Sequence, residues 1–215
     1  MAALRDLATV LVQPQQTMRR VLEGGDRWTI QVVILAFVCS SVGDANPRVL
    51  AETLPGLGWS ALAVVALSLV VGSLTWVIAL WLLGWIAGFV ARKIGGTAKM
   101  SDVRAAMAWG LVPVIWSLVY RIPLAIFVSR FHANPNINVA RTLIDFASTG
   151  ALSIVIVFLA LQLLFAAWSV WVGSFCLAEA EQFSPLTGLG VIAITFSIPF
   201  VIAAAAVVNS LSHGG

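Results

Sequence analysis

Charge is the property this sequence has least of. Only 10% of its 215 residues are charged, whereas about a quarter are charged in soluble globular proteins. No charged side chain occurs between Glu52 and Arg92, and residues 146–178 and 182–215 contain no acidic residue, lysine or arginine. A helix needs about 20 consecutive apolar residues to cross a bilayer. These tracts exclude a soluble fold and predict a membrane protein.

Residues that carry chemistry are also scarce. The chain has two cysteines and two histidines, and it contains no H-E-x-x-H, G-x-x-x-x-G-K-[ST] or G-x-S-x-G motif. No ionisable side chain falls clearly in the middle of an apolar tract, where pumps and intramembrane enzymes keep such groups. We therefore expect no enzymatic activity, no cofactor and no metal site. The basic residues are not interleaved with aromatics, so no nucleic-acid partner is expected.

The apolar tracts predict an all-α, polytopic integral membrane protein, because only helices keep backbone groups paired in lipid. Five transmembrane helices are expected, with an N-cap at Ser101 opening the third and Ser184-Pro185 opening the fifth. Their predicted ranges are 28–42, one long helix from after Gly58 to Ala91, a kinked third from Ser101, 151–178, and 185–209. Turn residues at 44–47 and 134–138 and a short surface helix at 139–146 are expected between spans.

Residues 1–27 predict two short amphipathic helices. Met18, Val21 and Leu22 share one helical face, whereas Arg19 and Arg20 lie on the other. This pattern favours interfacial helices in the membrane surface, and a cap packed over the cytoplasmic loops is the alternative. The predicted domains are thus the N-terminal helices 1–27, a transmembrane domain 28–210 and a tail 211–215.

The distribution of lysine and arginine predicts the orientation. Eight of these residues lie in the N-terminal region and the loop at 92–104, and four lie on the opposite side (Arg48, Arg121, Arg130 and Arg141). Cytoplasmic loops carry the excess of positive charge. A cytoplasmic N-terminus follows, and five spans then place the C-terminus outside.

The candidate binding residues are basic, and the candidate packing residues are small or kink-forming. Each cation near a membrane surface attracts anionic lipid by about 1 kcal/mol, although a role in setting topology explains the same loop. Gly84 and Gly88 form a small-xxx-small motif suited to packing within the chain or in a homo-oligomer. Glu179 and Glu181 are expected in a solvated turn. The candidate lipid- or partner-binding residues are Arg19, Arg20, Arg92, Lys93, Lys99 and Arg104, and the candidate kinks are Pro113, Pro123 and Pro199.

Several short motifs resemble the Yip (Ypt-interacting protein) domain family over nearly the whole chain. They are the turn at Gly95-Gly96-Thr97 before Ser101-Asp102-Val103, the run Trp109-Gly110 to Pro113, and residues 14–22, 171–173 and 183–186. The long polar N-terminal region and the Asp-Leu-Tyr-Gly-Pro motif of eukaryotic members are absent. The resemblance implies a short, bacterial-type inner-membrane protein with the Yip fold and no assigned reaction.

Two functions are compatible with these features. The first is a non-enzymatic scaffold for membrane organisation or trafficking that binds anionic lipids of the cytoplasmic leaflet or partner proteins. The second is a small channel or transporter with a cavity between the helices, where Pro113 and Pro199 would free backbone carbonyls.

Overall fold

A computed structural model describes residues 2–24, 28–41, 61–123 and 151–213 of the chain, and these residues form helices and no strand. The all-helical fold class is therefore confirmed for this part. The helices are α1 Ala2–Thr9, α2 Pro14–Gly24, α3 Thr29–Ser41, α4 Ala61–Lys93, α5 Met100–Trp109, α6 Val112–Trp116, α7 Ala151–Glu181 and α8 Pro185–His213, with another helical stretch at 118–123. The breaks predicted at 44–47 and 134–138 and the surface helix predicted at 139–146 lie outside the described residues.

Three of the described helical segments are long and apolar enough to cross a membrane. They are Val65–Lys93, Met100–Pro123 and Ile156–Glu181. Two shorter apolar helices are Thr29–Ser41 and Pro185–Pro199. A helix of 13 residues such as α3 spans about 20 Å, less than the hydrocarbon thickness of about 30 Å. The count of five crossings stays a prediction.

The apolar tract after Gly58 forms one long helix, as predicted. α4 contains 33 residues and is therefore about 50 Å long. Gly72 does not interrupt it, and a Cβ on this glycine would overlap the ring of Phe37. The helix is longer than a hydrocarbon core is thick, so it projects beyond the apolar layer or lies tilted within it.

The start of α5 corrects one prediction. The N-cap position is Lys99, which has an extended backbone and makes no side-chain cap bond, and Ser101 lies inside the helix. Asp102 lies in the first turn, where the helix dipole favours negative charge. The helix ends at Trp109 and resumes at Val112, just before Pro113. Pro199 lies inside α8, which continues past it to His213, so the first three residues of the predicted tail are helical.

The connection between α7 and α8 follows from local sequence. Gln182 adopts a left-handed φ of 58°, and the Phe183 N–H donates to the Ala178 carbonyl at 2.8 Å, which ends α7. The Thr187 N–H then donates to Ser184 Oγ at 3.2 Å. With Pro185 as the first residue of α8, the predicted cap is confirmed.

The first of two compact units consists of Met1–Val33, Val77–Val112 and Val170–Gly215. Its core contains the fully buried Trp109 together with Val103, Val172, Leu177 and Val191. Backbones approach closely here, because a Cβ on Gly110 would lie 2.8 Å from the Cα of Gly173. The unit buries the free thiol of Cys176.

The second unit consists of Ile34–Trp76 and Pro113–Ser169. The ring centroid of Tyr120 lies 5.4 Å from that of Phe165 and 6.2 Å from that of Phe158. Arg121 is buried, and its guanidinium donates a hydrogen bond to the Ser40 carbonyl. A buried cation is stabilised by such an acceptor. The counts of lysine and arginine that predict the orientation do not indicate that Arg121 is buried.

Candidate functional site

Two carboxylates at the end of α7 form the centre of the candidate site in the first unit. Glu179 is 9% exposed and Glu181 is 3% exposed. The prediction that they lie in a solvated turn is wrong, because α7 continues to Glu181 and segments distant in sequence cover both side chains. We call Arg19, Glu179, Glu181 and the backbone of residues 96–98 the head cluster.

Arg19 of α2 binds the first carboxylate. Its Nε donates to Glu179 Oε1 at 2.7 Å, and the arginine side chain is 65% exposed. The hydrogen bond to Glu179, followed by the attraction between the two charges, raises the pKa of Arg19 above its usual value. An arginine guanidinium is charged at every physiological pH, and this contact ties the N-terminal helix to the end of α7.

The second carboxylate holds the loop after α4. Glu181 Oε2 accepts the backbone N–H of Ala98 at 2.9 Å. A Cβ on Gly96 would lie 2.5 Å from the same oxygen and 2.9 Å from the Ala91 carbonyl. Gly95 has a left-handed φ of 99°, which favours glycine. One glycine thus permits the turn, and the other permits the approach of the carboxylate.

The other carboxylate oxygen of Glu181 is buried without a hydrogen-bond partner among the described residues. A buried carboxylate is costly unless its charge is stabilised. The single N–H from Ala98 meets part of that need. The position of residues 94–99 therefore depends on Glu181. This partner lies 83 residues from Ala98 in the sequence, so no sequence pattern near the loop identifies it.

Arg20 joins the two N-terminal helices to each other. Its Nη1 lies 3.1 Å from Asp6 Oδ1, and its Nη2 donates to the hydroxyls of Thr9 and Thr17 at 3.1 and 3.2 Å. The face of α2 that carries Met18 and Val21 is buried, and α2 contacts α5. This packing agrees with the cap interpretation of residues 1–27, and their contact with a bilayer stays a prediction.

The structure divides the six predicted binding cations into three groups. Arg19 and Arg20 make the internal contacts described above. Arg92, Lys93 and Lys99 are exposed around the loop that Glu181 holds. Arg104 is half-buried, and its guanidinium lies 3.7 Å from the ring centroid of Trp81. The sequence pattern does not distinguish these groups, because the partners come from other helices.

Gly84 and Gly88 face the start of α5 within the same unit. A Cβ on Gly84 would lie 2.7 Å from Arg104 Cγ, and one on Gly88 would lie 2.8 Å from Met100 Cε. The small-xxx-small motif thus packs against the chain itself at these two positions. Close approach of two helices is the usual effect of such a motif.

Exchanging the charges of the Arg19–Glu179 pair tests the link between α2 and α7. In Arg19→Glu, an exposed carboxylate would face the buried carboxylate of Glu179, so we expect loss of hydrogen-exchange protection in α2. The double variant Arg19→Glu/Glu179→Arg should recover much of that protection. Equal exchange in α2 of the wild type and Arg19→Glu would show that this pair does not hold the helix.

Comparison with known proteins identifies the family of the chain. No curated protein and no solved structure matches it. The Yip1 domain matches residues 8–208, which include α2 to α7 and most of α8. The matched region contains Arg19, Glu179, Glu181 and the loop that they help to hold. Together with three helical segments that are long and apolar enough to span a membrane, this match shows that the chain belongs to the Yip1 domain family.

Proposed function

We propose that this protein is a non-enzymatic membrane scaffold that binds anionic lipids or partner proteins through the basic residues at 92–104, which surround the loop at 94–99, and through the adjacent N-terminal helices. In this proposal it resides in a bacterial inner membrane, with the N-terminus cytoplasmic and the C-terminus external. The basic loop then faces the anionic cytoplasmic leaflet. Membrane organisation, and not a chemical reaction, is the activity.

The observation that carries the proposal is that an exposed basic loop is held in one position by a buried carboxylate. Arg92, Lys93 and Lys99 are exposed on both sides of the Gly95-Gly96 turn, while Glu181 accepts the Ala98 N–H. A binding surface that is already ordered loses less conformational entropy when a ligand binds. The contacts of Glu179 and Glu181 also support a structural use of these two carboxylates.

Charge reversal in the loop tests this function. In the variant Arg92→Glu/Lys93→Glu/Lys99→Glu, we expect retention of phosphatidylglycerol by the purified protein to fall at least tenfold, since each cation contributes about 1 kcal/mol. Native mass spectrometry of protein titrated with this lipid in detergent measures the retention.

The matched control is Arg92→Lys/Lys93→Arg/Lys99→Arg, which keeps all three charges. It should bind phosphatidylglycerol as the wild type does. Equal retention in the charge-reversed and charge-conserving variants would contradict lipid binding by these three residues. Proteins that co-purify with the wild type but not with the charge-reversed variant would identify the partner class.

A further inference from the structure

Arg104 occupies a specific recess next to Trp81. Its Cγ packs against Gly84 so closely that a Cβ at this glycine would lie only 2.7 Å from it. The guanidinium lies 3.7 Å from the Trp81 ring centroid, within the range of a cation–π interaction. The stem of the arginine is therefore placed by a glycine, and its charged group is placed by an aromatic face.

One buried donor of this guanidinium, its Nε, is not used by the described residues. Arginine has five N–H donors, and its Nε is buried without a partner among the described residues. Stacking on Trp81 stabilises part of the positive charge. The indole ring does not accept the N–H groups that lie in the plane of the guanidinium. Arginine forms a planar fork that suits two oxygens of a phosphate or carboxylate. The half-buried guanidinium, stacked on Trp81 with an unused donor, therefore favours an anion as its ligand.

This guanidinium lies at the expected level of lipid headgroups. Trp81 is 50% exposed, and Trp85 and Trp171 are exposed in the same unit. Exposed tryptophans are typical of the membrane–water interface. From Ala61 to Trp85, α4 extends about 36 Å, enough to cross a hydrocarbon core of about 30 Å. Arg104, which packs at Gly84, therefore lies near the headgroups and not at mid-membrane.

We propose that Arg104 and Trp81 form a binding site for the phosphate of one anionic phospholipid. The guanidinium donates to two phosphate oxygens, Trp81 supports the guanidinium from one side, and the acyl chains lie along the exposed apolar face of α4 with Leu82 and Trp85. This site deepens the proposed function and rests on it, because it adds one defined lipid to the diffuse attraction of the basic loop.

Native mass spectrometry of the full-length protein, titrated with phosphatidylglycerol in detergent, tests the site. We expect Arg104→Gln to lose one tightly held lipid, with affinity for that lipid about tenfold lower, as for loss of one charge-assisted contact. Arg104→Lys keeps the charge without the fork and should bind with intermediate affinity. Trp81→Leu should weaken the same lipid, and excess inorganic phosphate should not displace it from the wild type.

Separate outcomes decide the site and the proposed function. If Arg104→Gln, Arg104→Lys and the wild type retain the same number of lipids with equal affinity, the site is wrong even where loop charge reversal lowers retention. Displacement by inorganic phosphate alone would also overturn it, since the ligand would then be a free anion. The thermal midpoint of Arg104→Lys, measured in parallel, reports whether the fold is intact.

Discussion

Gly188→Val should lower the thermal midpoint of the detergent-purified protein by about 5 to 10 °C. A Cβ at this position would overlap the Ser174 carbonyl oxygen and lie 3.3 Å from the Ala178 nitrogen. Both atoms belong to the backbone of α7, so no side-chain rotation relieves the overlap. Overpacking of this kind costs about 1–3 kcal/mol, and each kcal/mol shifts the midpoint by about 2–4 °C in a chain of this size.

Gly190→Val is the matched control for this effect. Gly190 is on the same helix, and a Cβ there would meet no atom within 4 Å. The same substitution should therefore change the midpoint by no more than about 2 °C, because only helix propensity differs. Equal losses of stability in the two variants would show that α8 does not pack on α7 through Gly188.

Glu181→Lys should destabilise the head cluster by about 2–4 kcal/mol. The substitution removes the acceptor for the Ala98 N–H and places an ammonium group at a position that is 3% exposed. The Ala98 N–H is part-buried, so its loss of a partner costs up to about 1–3 kcal/mol, and an unpaired buried charge adds to that cost. We expect faster hydrogen exchange in residues 94–99 and a lower thermal midpoint.

Glu181→Gln separates the effect of charge from that of the hydrogen bond. Glutamine has nearly the same shape, and its side-chain oxygen can accept the Ala98 N–H. It should therefore keep exchange in residues 94–99 close to that of the wild type. If Glu181→Gln is as damaging as Glu181→Lys, the negative charge and not the accepted hydrogen bond holds the loop.

The contacts of Arg19, Arg104 and the two glutamates could not be predicted from the residues next to them in the sequence. Arg19 and Arg104 belong to one basic set in the sequence, but α7 supplies the partner of the first and α4 the partner of the second. Glu179 and Glu181 follow a long apolar run, which is typical of a solvated helix end. Their burial depends on α2 and the loop at 94–99, and a pairing 160 residues apart leaves no periodic signal.

The local sequence pattern predicted a structural feature correctly where the physical cause of that feature lies within a few residues of it. The continuous helix from Ala61 to Lys93, the opening of α8 at Ser184-Pro185 and the turn at Gly95-Gly96 depend on hydropathy, capping and the freedom of glycine, which neighbouring residues supply. The burial of Glu179 and Glu181 depends on packing. Packing decided which charges are held inside the protein and which remain at the surface, because desolvation and pairing are properties of contacts between segments far apart in the chain.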